Sequence, residues 1–305
     1  TAKKLAKGIL PAIDAEITQL ATTQRAAVME LGIEYKAYLS AGKAETPQSA
    51  AQTRSLLTAR SQLDVPNHDP IIPAPVVRPD QGHKTSRIDV GYGVQDGAHF
   101  QELVWRPSYH ELIDPEAGYN RGAQIQFFRF ALRHYADEKK TRLEKFVPID
   151  ILSLAPRDEF FQRLSWKINL SGVRTRMANG EERPLARVNG GAGYAWETGK
   201  ALHTPTLLYS FLDVTLDAGK FPGADYALGA GPALGMVTDL SQDWRAHTYA
   251  RLQRFALGNQ RTSAEVSIDQ RFSVGPNAGL RVSVGKKKEF DRLWNHADIN
   301  FQYYY

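Results

Sequence analysis

The chain has 305 residues, 42% of them hydrophobic, no cysteine and a formal net charge of +5. No run of about 18 apolar residues occurs, so no transmembrane helix is available. The charge is modest and forms no basic stripe with interleaved aromatics, which argues against a nucleic-acid partner, and the lack of thiols suits a periplasmic or outer-membrane setting.

The chain opens on Thr1-Ala2-Lys3-Lys4 without an apolar leader. An exported protein must have carried one, so the expectation is a processed or partial chain. Residues 1–63 are read as helical. Leu5, Ile9, Ile13, Ile17 and Leu20 recur at helical spacing, as do Val28, Met29, Leu31, Ile33 and Leu39. Thr46 before Pro47 is an N-cap followed by a first-turn proline, and it opens a helix that runs to Leu63. Pro11 is expected to kink or delimit the first helix. The simplest reading is a small periplasmic bundle; a plug or a stalk for another domain are the sharper ones. Residues 64–84 form a linker, dense in proline at Pro66, Pro70, Pro73 and Pro75 and suited to extended structure.

Residues 85–305 repeat one pattern. Segments of about 9 to 15 residues alternate apolar and polar side chains between turn residues. Ile88, Val90, Tyr92 and Val94 share one face; Trp166, Ile168 and Leu170 share another, opposite Lys167 and Asn169. The same alternation carries Val188, Tyr194 and Trp196, then Leu252, Val266, Ile268, Val282 and Val284. A change of phase between Phe127 and Phe128 is read as a β-bulge. The chain closes on Ile299, Phe301, Tyr303 and Tyr305, with polar residues at 298, 300 and 302. The pattern predicts a transmembrane antiparallel β-barrel of about twelve strands with an N-terminal helical segment. Phe301, Tyr303 and Tyr305 would face lipid and serve the barrel-assembly machinery as an assembly signal. A soluble β-sandwich also alternates, but its strands are shorter, about 5 to 6 residues.

The segment Arg106-Pro107-Ser108-Tyr109-His110-Glu111-Leu112-Ile113-Asp114-Pro115-Glu116-Ala117-Gly118-Tyr119 resembles the family of domain of unknown function 4105. Gly122-Ala123-Gln124-Ile125, Ser153-Leu154-Ala155-Pro156-Arg157-Asp158, Arg78-Pro79-Asp80-Gln81-Gly82-His83 and the strand from Tyr226 to Pro232 resemble it too. The resemblance spans roughly residue 78 to the end and implies an outer-membrane barrel joined to an upstream periplasmic domain that this chain does not contain.

With a periplasmic N-terminus, the connections 107–121 and 153–159 fall on the periplasmic side. Tyr109, His110, Glu111, Asp114, Glu116, Tyr119, Arg157 and Asp158 are therefore expected to form docking loops for a periplasmic domain or protein. Their spacing matches no metal motif, and no catalytic set or cofactor site is found. The inward charges are Arg87, Asp89, Arg163, Lys167, Arg187, Arg245, Arg251, Glu265, Asp269, Arg271, Arg281 and Asp298. Both signs occur on neighbouring strands, so a lumen mostly closed by ion pairs is expected. The function expected first is an outer-membrane anchor among lipids. A small-solute, anion-preferring channel is the alternative, and an outer-membrane lipid-modifying enzyme the second. The enzyme lacks a serine–histidine pair, since His134 has no serine partner. In this register Ile168→Arg should be costly and Lys167→Ala mild.

Overall fold

The computed structural model describes residues 1–8, 15–67, 72–177, 179–199 and 204–305. Ile9 and Ile13 of the first helical pattern, the expected kink at Pro11, and linker residues 68–71 lie outside the described residues. The chain forms two compact units, Thr1–Ala74 and Pro75–Tyr305.

The first unit contains helices α1 (Ala2–Ala6), α2 (Ala15–Thr18), α3 (Thr22–Ser40) and α4 (Pro47–Ser61). Thr46 caps α4 as its sequence predicts: the hydroxyl accepts from the Ser49 amide at 3.1 Å, with Pro47 in the first turn. Leu5, Ile17, Met29 and Leu56 form its buried core. Gly32 on α3 lets Leu5 approach, since a Cβ at Gly32 would stand 3.0 Å from the Leu5 Cβ.

The second unit is a barrel. Its strands are β1 (Arg87–Gln95), β2 (Ala98–Arg106), β3 (Ser108–His110), β4 (Ala123–Tyr135), β5 (Lys140–Ser153), β6 (Ser165–Arg176), β7 (Glu182–Glu197), β8 (Thr206–Phe221), β9 (Ala224–Asp239), β10 (Trp244–Gly258), β11 (Arg261–Gly275), β12 (Ala278–Glu289) and β13 (Arg292–Tyr304). Each pairs antiparallel with its neighbours; β13 returns to β1, and β2 pairs with β4. Twelve strands thus close on themselves, and the short β3 extends the line of β2 along β4 beyond Pro107. Closure leaves no open sheet edge, which is what a spanning β-structure requires in lipid.

The alternation predicts which side chains meet lipid. Val90, Trp166, Ile168, Leu212, Leu234, Val266, Phe301, Tyr303 and Tyr305 are exposed on the outer wall. Four of the five tryptophans, Trp105, Trp166, Trp196 and Trp244, lie outward near the strand ends that carry the barrel's own two termini. This is an interfacial aromatic girdle. Trp105 donates from its indole nitrogen to the Tyr305 hydroxyl at 2.9 Å, tying β2 to the chain end. The opposite strand ends are joined by tight turns; Asp96-Gly97, both at positive φ, joins β1 to β2 in two residues.

The expected bulge at Phe128 takes a different form. Phe128 has a φ of 53° and points outward, and the inward phase passes from Gln126 to Arg129. Pairing with β5 nevertheless stays in step, with Phe127 opposite Ile149 and Arg129 opposite Val147. No extra residue is inserted at Phe128 itself; the register shifts lie nearby, between Ala131 and Leu132 on the β4–β5 pair and between Phe146 and Ile149 on the β5–β6 pair.

Candidate functional site

The connection from β3 to β4, residues 111–122, does not lie on the rim but folds into the lumen and closes the end that carries the barrel's termini. Its centre is Asp114, fully buried. One carboxylate oxygen accepts from Arg87 at 2.8 Å and from the Tyr304 hydroxyl at 2.6 Å. The other accepts from Arg106 at 2.7 Å and from the Glu111 amide at 2.8 Å. Arg87, Arg106 and Tyr304 sit side by side at the ends of β1, β2 and β13, with Arg87 opposite both. Two arginines facing each other across a strand pair repel, and Asp114 is the counter-charge that lets both stay buried.

The rest of the plug is held from several walls. Glu111 pairs with Arg281 of β12 at 3.0 Å and with Arg87 at 2.9 Å. Arg245 of β10 donates to the Asp114 carbonyl at 2.9 Å and pairs with Glu116 at 3.1 Å. Arg121 bridges Glu116 and Asp239 at 3.1 Å each. Leu112 enters a core with Leu152, Leu154, Leu207, Tyr209 and Phe211. Gly118 permits the fold-back: its φ is 83°, and a Cβ there would meet the Arg78 carbonyl oxygen at 2.9 Å.

Beside Asp114 lies a pile of three rings. Tyr119 stacks on His83 and on His110, each with centroids 4.3 Å apart. His83 Nε2 and His110 Nδ1 are 3.0 Å apart, and the Tyr119 hydroxyl donates to the His83 carbonyl at 2.7 Å. Donor atoms of His83, His110 and Asp114 lie within 4.8 Å of one another. They do not fit a metal ion, because all four acceptor positions of Asp114 are occupied and two guanidiniums flank it. The arrangement is a neutral imidazole pair beside a charge cluster.

Burial holds the His83 imidazole below its usual range and pushes that of His110, on the short rim strand, down to about 4. Burial alone would raise the Asp114 carboxyl, but Arg106 and Arg87 outweigh it and hold the group well below the carboxylate range. Burial likewise pushes the Tyr119 hydroxyl up to about 12. In the acid range the closed plug therefore binds fewer protons than an opened one. The stability these histidines contribute is complete above about pH 6.5 and is lost as pH falls through about 4. The Asp114 contribution adds to the loss only below about 3.8. Thermal unfolding in detergent should show a midpoint that drops across this window. His110→Gln should flatten the drop, and an identical slope in that variant would show that the ring does not couple to closure.

Most of the inward charges expected from the sequence are ion-paired. Lys167 meets Asp213 at 2.7 Å, Arg187 meets Asp217 at 2.7 Å and Glu289 at 2.6 Å, and Arg251 meets Glu265 at 2.8 Å. Arg281 meets Asp269 at 2.8 Å, Arg245 meets Asp239 at 2.6 Å, and Arg87 meets Asp89 at 2.8 Å. Arg271 donates to Gln302 at 3.1 Å and Asp298 accepts from Asn300 at 2.7 Å, both neutral partners. Arg163 is a correction. It precedes β6, which begins at Ser165, and is exposed near Phe161 rather than in the lumen. The docking set divides as well. His110 and Asp114 are buried and belong to the closure, with Glu111 beside them. Tyr109 and Asp158 stay exposed, and Arg157 lies over the Tyr194 ring at 4.4 Å. Sequence reading missed His83, Arg106, Tyr304, Asp213, Asp217 and Glu289. Strand alternation on β8 carried the signal for Asp213 and Asp217.

A closed, twelve-stranded antiparallel barrel with an apolar, aromatic-banded exterior and a charged interior is an outer-membrane β-barrel. The chain belongs to the family described as domain of unknown function DUF7840, whose model matches residues 76–304. A second domain of unknown function, DUF7842, matches residues 1–70. These matches uphold a family of unknown function but do not confirm the resemblance to domain of unknown function 4105. No curated protein matches the chain in sequence. Similar solved structures include the NanC porin, 10% identical over 72% of this chain and 100% of that one, with a TM-score of 0.44. LpxR from Salmonella typhimurium is 10% identical over 72% of this chain and 100% of its own, with a TM-score of 0.41. The KdgM porin is 11% identical over 72% and 99%, with a TM-score of 0.37.

Proposed function

We propose that the chain is an outer-membrane anchor: a barrel that its own loop closes at the periplasmic end, with a rim that holds a periplasmic domain or protein. The observation behind this reading is the buried Asp114 cluster, which joins the plug to three strands at once. A loop held by that many charge-assisted hydrogen bonds is a fixed part of the wall rather than a mobile gate. The rim around it exposes Tyr109 and Asp158, a mixed aromatic and charged surface of the kind that takes a protein partner.

Reconstituted in planar bilayers, the protein should give no porin-like conductance steps. Steady open-channel current would overturn the anchor and favour the anion-preferring channel. A photo-crosslinker at Tyr109 or Arg157 in native membranes should capture a periplasmic segment. Labelling of Tyr109 from the cell exterior would invert the topology and defeat the reading.

A further inference from the structure

Above the plug the lumen holds a cavity of about 550 Å³, within the size range of small-molecule sites. Its lining reaches Gln95, the last residue of β1, and Trp294 near the start of β13, so it extends toward the end with the tight turns. Most of its basic residues are engaged: Lys167, Arg187, Arg251 and Arg281 each hold a carboxylate at 2.7 to 2.8 Å. Arg129 of β4, Lys145 of β5 and Arg174 of β6 differ. They line the same cavity and make no ion pair or side-chain hydrogen bond among the described residues, and the Nε atoms of Arg129 and Arg174 are buried without an acceptor.

Arg129 and Lys145 are diagonal neighbours, because Ala131 faces Lys145 and Arg129 faces Val147 across the β4–β5 pair. The nearby carboxylates do not contact them: Asp150 and Glu144 keep their charge and accept from neutral donors, the Gln124 amide at 3.0 Å and the Tyr135 hydroxyl at 3.2 Å. Two adjacent cations with no carboxylate in contact repel each other and are half-withdrawn from water on the lumen wall. A bound anion offsets both. We infer that the cavity is a binding site for a small oxyanion, a phosphate or phosphoryl group, held between Arg129 and Lys145 and entered from the turn-bearing end. The site does not depend on the anchoring role, since a barrel closed at one end still opens its cup at the other.

The test is calorimetry on the full chain in detergent, with inorganic phosphate, glucose 6-phosphate and glucose. Saturable binding of the two phosphoryl compounds and none of glucose is expected. Tighter binding of glucose 6-phosphate would identify an organic phosphate as the ligand class, and equal binding the free ion; either supports the site. Arg129→Gln and Lys145→Gln should each weaken binding at least about tenfold, while Lys145→Arg retains it. In a second measurement free of variants, phosphate should raise the unfolding temperature of the unaltered protein more than chloride at equal ionic strength. Absence of saturable phosphate binding, unchanged affinity in both glutamine variants, or equal effects of phosphate and chloride would overturn the inference.

Discussion

Replacing Asp114 by alanine should lower barrel stability by about 3 to 5 kcal/mol, the usual cost of breaking a buried ion pair by removing one partner. The substitution leaves Arg87 and Arg106 fully buried and facing each other, with Tyr304 also losing its acceptor. Glu111 remains close to Arg87 at 2.9 Å but stands 3.9 Å from Arg106, so it neutralises one arginine and not the other. The plug should then leave the lumen, and the variant should pass current in planar bilayers where the unaltered protein does not. Asp114→Asn keeps the shape and loses the charge, so it should fall between the two. Denaturant unfolding of folded, detergent-solubilised barrels gives the stability. A closed and fully stable alanine variant would show that the ion cluster does not hold the plug.

Ile168→Arg should cost about 1 to 3 kcal/mol, because it places a cation on the lipid face of β6, two residues inside the girdle position of Trp166. Ile168 is exposed on the outer wall of β6, and its neighbour Lys167 points inward to Asp213. Lys167→Arg should therefore be tolerated. One residue apart, the same side chain would be harmless or severe, and unfolding of the two variants reads the register directly. If Lys167→Arg proved the costlier, the face assignment of β6 would be reversed. Lys167→Ala is not the mild change that strand alternation suggests. Asp213 is fully buried, and losing its partner should cost about 1 to 3 kcal/mol. The double variant Lys167→Ala with Asp213→Ala should recover part of that loss, since neither charge is then left alone.

The lipid face was legible in the sequence at Ile168, Ile299, Phe301 and Tyr303, and the structure exposes each of them. The inward charges were legible by the same alternation, except where the pattern was carried one step past a strand end, as at Arg163. Strand β8 was harder to read. Leu207, Tyr209 and Phe211 turn inward onto the plug, so apolar residues stand on both faces there and the period of two is blurred. The loop from 111 to 122 looked like a rim because its turn residues, tyrosines and mixed charges are those of an exposed connection.

Strand number, lipid-facing side chains and fold class follow from the sequence by itself, because lipid on one face and a polar lumen on the other act on each residue locally, with a period of two. The plug, the cluster at Asp114 and the unpaired cations at Arg129 and Lys145 were decided only by tertiary structure. Asp114 finds its partners at positions 87, 106 and 304. Which charges meet across the lumen depends on strand order and on the closure of β13 onto β1, and those long-range pairings leave no local trace in the chain.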